Sequence, residues 1–262
     1  MSDLDLKNKP LVEAFIEIKW ELKEGKAGGQ SDPHYKFLLG PLREKISEKY
    51  PEYEALPTAT IPDEMAGYMV QHRFRASAGG WPIIQVGPGV FSFNQTTEYV
   101  WTEFREQAVE AVDKLFEAYP KKEDLKINSI FLKYIDALEV DYFSENIFDY
   151  LKNKLKINVD FPDNLFEGSD VQSFPQAFNM QTSFSCSAPP GRINLLFATG
   201  HHKKGEDNQP ALIWHITMHS AGNDVPEMPN QFSGWLDAAH RKTHDWFFKL
   251  VDGDLLRSFR GE

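Results

Sequence analysis

The sequence predicts an α+β fold in which a mainly antiparallel sheet carries helices on one face, arranged as two repeats of strand, helix, three strands, helix. Three observations predict it. Several short segments alternate apolar and polar residues, the period of a half-buried strand. Between them lie stretches whose apolar residues recur at helical spacing, as on a helix packed by one side. The order of the two kinds of segment is the same in 1–126 as in 127–262, so these are expected as two repeats, separate or within one continuous domain.

In the first repeat, Leu11 to Leu22 sets Ile16, Ile18, Trp20 and Leu22 on one side of a strand and Glu17, Lys19 and Glu21 on the other. Gly25 to Gln30 reads as a loop. Asp32-Pro33, a capping residue with proline behind it, opens a helix to about Tyr50, with Phe37, Leu38, Leu42 and Ile46 at helical spacing. Pro51, Pro57 and Pro62 mark a connector in which no helix persists. Three strands follow, Tyr68 to Ser77, Ile83 to Val86 and Val90 to Asn94, divided by the turns Gly79-Gly80 and Gly87-Pro88-Gly89. Thr96 and Thr97 stand as caps for a long helix striped by Trp101, Phe104, Ala108, Val112, Leu115 and Tyr119.

The second repeat begins with a strand-like Ile127 to Val140 and a helix from Ser144 to Leu155. A loop rich in Asp, Pro and Gly runs to about Pro175. Phe178 to Ser187, Arg192 to Gly200 and Ala211 to Ala221 are the three strands, the first two joined at Pro189-Pro190-Gly191. The final helix, Phe232 to Val251, sets Leu236, Ala239, Thr243, Phe247 and Leu250 on one face. This order of elements resembles duplicated saddle-like folds such as the TATA-binding protein and the gyrase-inhibitor-like ligand-binding domains. That resemblance concerns architecture alone.

If helices cover one sheet face, alternation names the residues on the other. In the second repeat the open face carries Asn179, Gln181, Ser183, Ser185 and Ser187, then His215, Thr217 and His219. Leu212, Trp214, Ile216 and Met218 point to the core. An ordinary solvated face in an acidic protein would carry Glu and Lys, whereas amides, hydroxyls and imidazoles donate and accept hydrogen bonds. Such a surface suits a polar ligand or a protein partner. In the first repeat the same face offers Gln71, Arg73 and Arg75, the two arginines being suited to an anionic group. The expected site is therefore Gln71, Arg73, Arg75, Gln181, Ser183, His215, Thr217 and His219. The expected function is non-catalytic binding of a polar small molecule or a protein on the open face. The alternative is a hydrolase with His215 or His219 as general base. A homodimer through the open face or a strand edge is a third.

Charge narrows the partners. There are 28 Lys and Arg against 39 Asp and Glu, a net charge of -11, and a field of that sign repels a phosphate backbone. Nucleic acid is accordingly disfavoured. The opening MSDLDLKNKP lacks the basic and apolar regions of a secretory signal, and no run approaches the ~18 apolar residues of a membrane span. A cytoplasmic location is expected, with no membrane partner.

The motifs that would announce catalysis are missing from the sequence. Cys186 is the one cysteine, so it forms no internal disulfide, and its place in the alternation beside Phe184 predicts an inward, inert thiol. His240 and His244 share a helix face, but Arg241 stands where a metalloprotease has its Glu. His240 is expected at the edge of the core and His244 in solvent. His215 and His219, roughly 13 Å apart along a strand, are too distant to share an ion. Proline within Gly87-Pro88-Gly89 removes an amide that a phosphate loop would use, which favours a hairpin turn. Carboxylate pairs such as Asp136 with Glu139 carry no specific signal. No catalytic residue, metal or cofactor is expected.

One resemblance spans most of the chain. The opening Asn8-Lys9-Pro10-Leu11-Val12-Glu13-Ala14-Phe15-Ile16-Glu17-Ile18-Lys19-Trp20 is similar to the start of a sporadically distributed family of uncharacterised bacterial proteins of like length. Gln85 to Val90 with Asn94 beyond, Leu132-Lys133-Tyr134-Ile135, and the helix His240 to Phe248 fit the same family, with Lys133 where Arg is expected. The resemblance implies no catalytic residues. Its sporadic distribution implies an accessory role, such as defence or toxin neutralisation.

Overall fold

A computed structural model describes residues 6–24, 28–173, 175–204 and 207–262. Of the expected loop Gly25–Gln30, residues 25–27 lie outside the described residues. The first half contains β1 (Leu11–Trp20), the two-residue pair β2 (Lys23–Glu24) and β3 (Gln30–Ser31), α1 (Tyr35–Ile46), β4 (Glu52–Ala55), β5 (His72–Arg75), β6 (Ile83–Gly87), β7 (Val90–Gln95) and α2 (Trp101–Ala118). The second contains β8 (Ile127–Glu139), α3 (Ile147–Leu155), β9 (Asn179–Ser187), β10 (Pro190–Lys204), β11 (Asp207–Ala221), α4 (Phe232–Leu250) and α5 (Asp254–Arg260).

Among the described residues, nine strands form one sheet in the order β4-β5-β6-β7-β1-β8-β11-β10-β9, with every ladder antiparallel. The α+β class expected from the alternation is the class observed. Reading outward from the central β1–β8 pair gives β7, β6, β5 on one side and β11, β10, β9 on the other. The two halves thus meet in a single sheet.

Alternation decides which face each residue joins. Ile16, Ile18 and Trp20 of β1, Phe91 and Phe93 of β7, Ile130 and Leu132 of β8, and Leu212, Trp214, Ile216 and Met218 of β11 are all buried on the helical side. Against them pack Leu38 and Leu42 of α1, Phe104, Ala108, Val112 and Leu115 of α2, and Leu236 and Ala239 of α4. Helix packs on helix above the sheet: α1 against α2 and α2 against α4, with α3 against α5. Arg105 of α2 holds Asp237 of α4 through two parallel bonds of 2.6 and 2.8 Å, the bidentate geometry that a guanidinium favours.

Several boundaries differ from expectation for local physical reasons. Asp32 does not cap α1; the N-cap is His34, with no side-chain cap bond. The Asp32 carboxylate is buried and accepts from the His34 amide, the Trp20 indole and the Tyr119 hydroxyl, so it ties β1, α1 and the end of α2 together. Those three donors compensate the cost of burying its charge. Thr96 and Thr97 likewise give way to Val100 as N-cap of α2. At α3 the cap is Asn146, whose side chain accepts from the Phe148 amide at 3.0 Å. The proline connector contains the edge strand β4, and α5 extends the chain beyond the last expected helix. Gly87-Pro88-Gly89 turns β6 into β7, with Gly87 paired to Val90 and Gly89 at φ +78°, a conformation that glycine takes without strain.

Candidate functional site

The register sets the open face out in rows that cross the sheet. One row runs Arg73, Gln85, Ser92, Glu17, Phe131, His219, Arg192, Ser185, from β5 to β9. The next runs Arg75, Ile83, Asn94, Phe15, Lys133, Thr217, Asn194, Ser183. The open-face parity read from the sequence therefore holds for Arg73, Arg75, Ser183, Thr217 and His219, and the adjoining pairs place Gln181 and His215 with them.

Four of these residues come together. Gln181, His215, Thr217 and His219 line a concavity of about 320 Å³ over β8, β11, β10 and β9, with Asn194 and Leu196 in its floor. Lys19, Ser129, Phe131 and Lys133 close its β1–β8 side. Ser183 adjoins it, opposite Asn194 in the register.

Two cations reach the concavity that the expected site did not include. Lys19 is paired with Glu17 at 2.7 Å. Lys133 is different, because its ammonium lies over the rings of Phe15 and Phe131, at 5.2 and 5.1 Å from their centroids, and forms no ion pair among the described residues. Burial lowers its pKa, while the more distant Glu17 and Glu13 favour its charge. Burial also lowers the pKa of His215, with Lys133 adding to the effect, and lowers that of His219, with Lys19 and Arg192 adding. Both imidazoles are thereby held neutral at pH 7, each with one donor and one acceptor nitrogen. The site presents one uncompensated cation among neutral hydrogen-bonding groups.

Gln71, Arg73 and Arg75 lie apart from it. From β5 to β8 is four strand spacings, roughly 19 Å. Gln71 is buried and donates to the carbonyls of Thr58 and Ile61, which holds the turn 57–60 over the sheet. Arg73 donates to Gln85 and pairs with Glu54 at 3.2 Å. Arg75 donates to the Gly80 carbonyl, lies 3.7 Å from the same Glu54 and faces the Trp81 ring. From Gln85 the bonding continues through Ser92 and Asn94 to Glu13. This half of the open face is satisfied by its own side chains. The structure therefore does not bring the two arginines to the concavity, whose lining cations are Lys19 and Lys133.

Two further expectations change. Cys186 is half-buried and packs against the core as expected, but Phe184 is 48% exposed, because edge strand β9 is only partly roofed, and it meets Trp246 edge-on instead of entering the core. His240 does sit at the edge of the core, stacked on Trp101 with ring centroids 3.6 Å apart and bonded to the Tyr134 hydroxyl. His244 turns inward beside it, against Phe248, and not into solvent. Among the described residues no group of three or more His, Cys, Asp and Glu is placed to hold a metal ion. No described helix is long and apolar enough to cross a membrane.

No protein-family model matches the chain, and neither does any curated protein.

Proposed function

We propose that this chain is a binding protein whose open sheet face holds a small polar anion. The observation that carries the reading is Lys133, an ammonium with no ion pair among the described residues, at the wall of a concavity where most of the other polar groups lack partners as well. Gln181, Asn194, His215 and Thr217 make no side-chain hydrogen bonds among the described residues. Half-buried donors left open in this way gain most from a ligand that supplies acceptors. The satisfied network in the other half of the same face provides the internal contrast. Binding is favoured over hydrolysis because neither His215 nor His219 bonds a carboxylate among the described residues, so neither ring is oriented as a general base is.

The test begins with native mass spectrometry of protein from its own host, followed by NMR titration with inorganic phosphate and with citrate. Shifts concentrated at Lys133, Asn194, His215 and Thr217, and at least about tenfold weaker binding by Lys133→Met, are expected. Unchanged affinity in both Lys133→Met and His215→Ala would overturn the reading.

A further inference from the structure

On the other side of the same strands, under α4 and the approach to α2, lies a cavity of about 390 Å³. Its walls are mostly apolar and aromatic, among them Leu11, Trp101, Ile216, Phe247 and Phe248. Nearly all its polar groups are engaged. The hydroxyls of Tyr99 and Tyr134 bond each other at 2.8 Å, and Tyr134 also bonds His240 Nδ1 at 2.9 Å. Thr243 donates to the backbone of its own helix, and Lys9 donates to the Tyr99 carbonyl. The exception is Asp136. It is 2% exposed, its Oδ2 has no hydrogen-bond partner, and it lines the cavity. Trp214, its register partner on β11, leaves its own indole N–H unpartnered, so that donor does not satisfy it.

A buried carboxyl without a donor is destabilising, so its presence asks for a partner. We propose that this cavity binds a hydrophobic amine, whose ammonium pairs with Asp136 while its apolar body lies among Leu11, Trp101, Ile216, Phe247 and Phe248. An ammonium supplies the missing donor and the missing countercharge together. The aromatic walls favour a cation over an anion, because ring faces are negative. An anionic headgroup placed at the same depth would instead meet a carboxyl, and the hydroxyls of Tyr99, Tyr134 and Thr243 around it are already engaged.

Proton linkage follows from the same geometry. Burial pushes the Asp136 carboxyl up to about 8, so at pH 7 it is largely protonated, and an ammonium entering beside it displaces that proton. The other titratable groups on the cavity are Lys9 ahead of β1, Tyr99 ahead of α2, Tyr134 on β8, and His240 and His244 on α4; β11 contributes none. His240 is pushed down to about 3, chiefly by burial, and does not compete for the proton near neutrality.

The experiment is calorimetry of the full chain with a matched series: 4-phenylbutylamine, 4-phenylbutanol and 4-phenylbutyrate. The amine is expected to bind at least about tenfold more tightly than the other two and to release close to one proton at pH 7, read from the difference between MOPS and Tris buffers. Its affinity should rise with pH and level off above about 8. Asp136→Asn should erase the preference and the proton release, and Ile216→Trp, which fills the cavity, should abolish binding of all three. An alcohol or acid that binds as well as the amine overturns the proposal, as does failure of all three to bind at millimolar concentration. Both outcomes are read on the unsubstituted protein, independent of how the variants fold.

Discussion

The two faces of the β8–β11 ladder are made by alternate residues of the same two strands and solve opposite problems. On the open face, Lys133, Thr217 and His215 gather around a wet concavity. On the covered face, Tyr134, Asp136 and Ile216 line an oily one. Among the described residues the open face carries a cation with no ion pair, and the covered face an acid with no donor. One residue of offset along a strand is enough to move a side chain between these environments. The same carboxyl at position 135 or 133 would lie half-buried on the open face; at 136 it is buried under the helices.

That contrast is sharpened most by removing the acid. For Asp136 the folded value lies above the ordinary 3.8, so the neutral form is favoured by folding and the group's penalty grows as pH rises. Below about pH 4 both states are protonated and the penalty vanishes; by pH 7 it is on the order of 4 kcal/mol, and above about 8 it stops growing. Asp136→Leu should therefore stabilise the protein far more at pH 7.5 than at pH 4.5 in urea unfolding. An equal effect at both pH values would mean that the carboxyl is already ionised and partnered.

Neighbouring residues on β8 provide the second comparison. Leu132 is fully buried under the helices, so Leu132→Ala should cost about 2–5 kcal/mol in urea unfolding. Phe131, one residue away, is half-buried on the open face against Phe15 and His219, and Phe131→Ala should cost only about 1 kcal/mol. Comparable losses would break the distinction between a packed face and an open one.

The smallest expected effect is on the open face itself. His215 titrates below the ordinary 6.5 through burial first and Lys133 second. In Lys133→Met its midpoint, followed by NMR of the ring protons, should move upward; a midpoint that stays put would place the ammonium away from the imidazole.

The architecture was legible because alternation and helical spacing are both local signals, and the strongest examples, β9 to β11 and α2, were read to within a few residues. The open-face parity is legible where alternation is clean, as for Gln181, His215, Thr217 and His219. Lys133 lies in a segment, Ile130-Phe131-Leu132-Lys133-Tyr134, with large side chains at both parities, which blurs the signal that sets its face. Asp136 carried a signal as well, a lone carboxylate at an apolar parity, but pairing it with Glu139 along the chain hid the parity. The engagement of Arg73 and Arg75 depends on Glu54 and Gln85, whose adjacency arises from sheet order and has no local signature.

The central pairing of β1 with β8 bears on the molecule's history as well as its shape. These two strands, ten and thirteen residues long, are the middle of the finished sheet, yet more than a hundred residues of chain separate them. Until they meet, whichever half forms first ends in an unpaired edge rich in Ile, Phe and Leu, flanked by the apolar face that the helices later share. Long unpaired edges of that kind recruit strands from other chains, and contacts this distant in sequence close slowly. The surface most prone to error in this protein is one that the folded molecule no longer has: it exists only in the interval before the halves join.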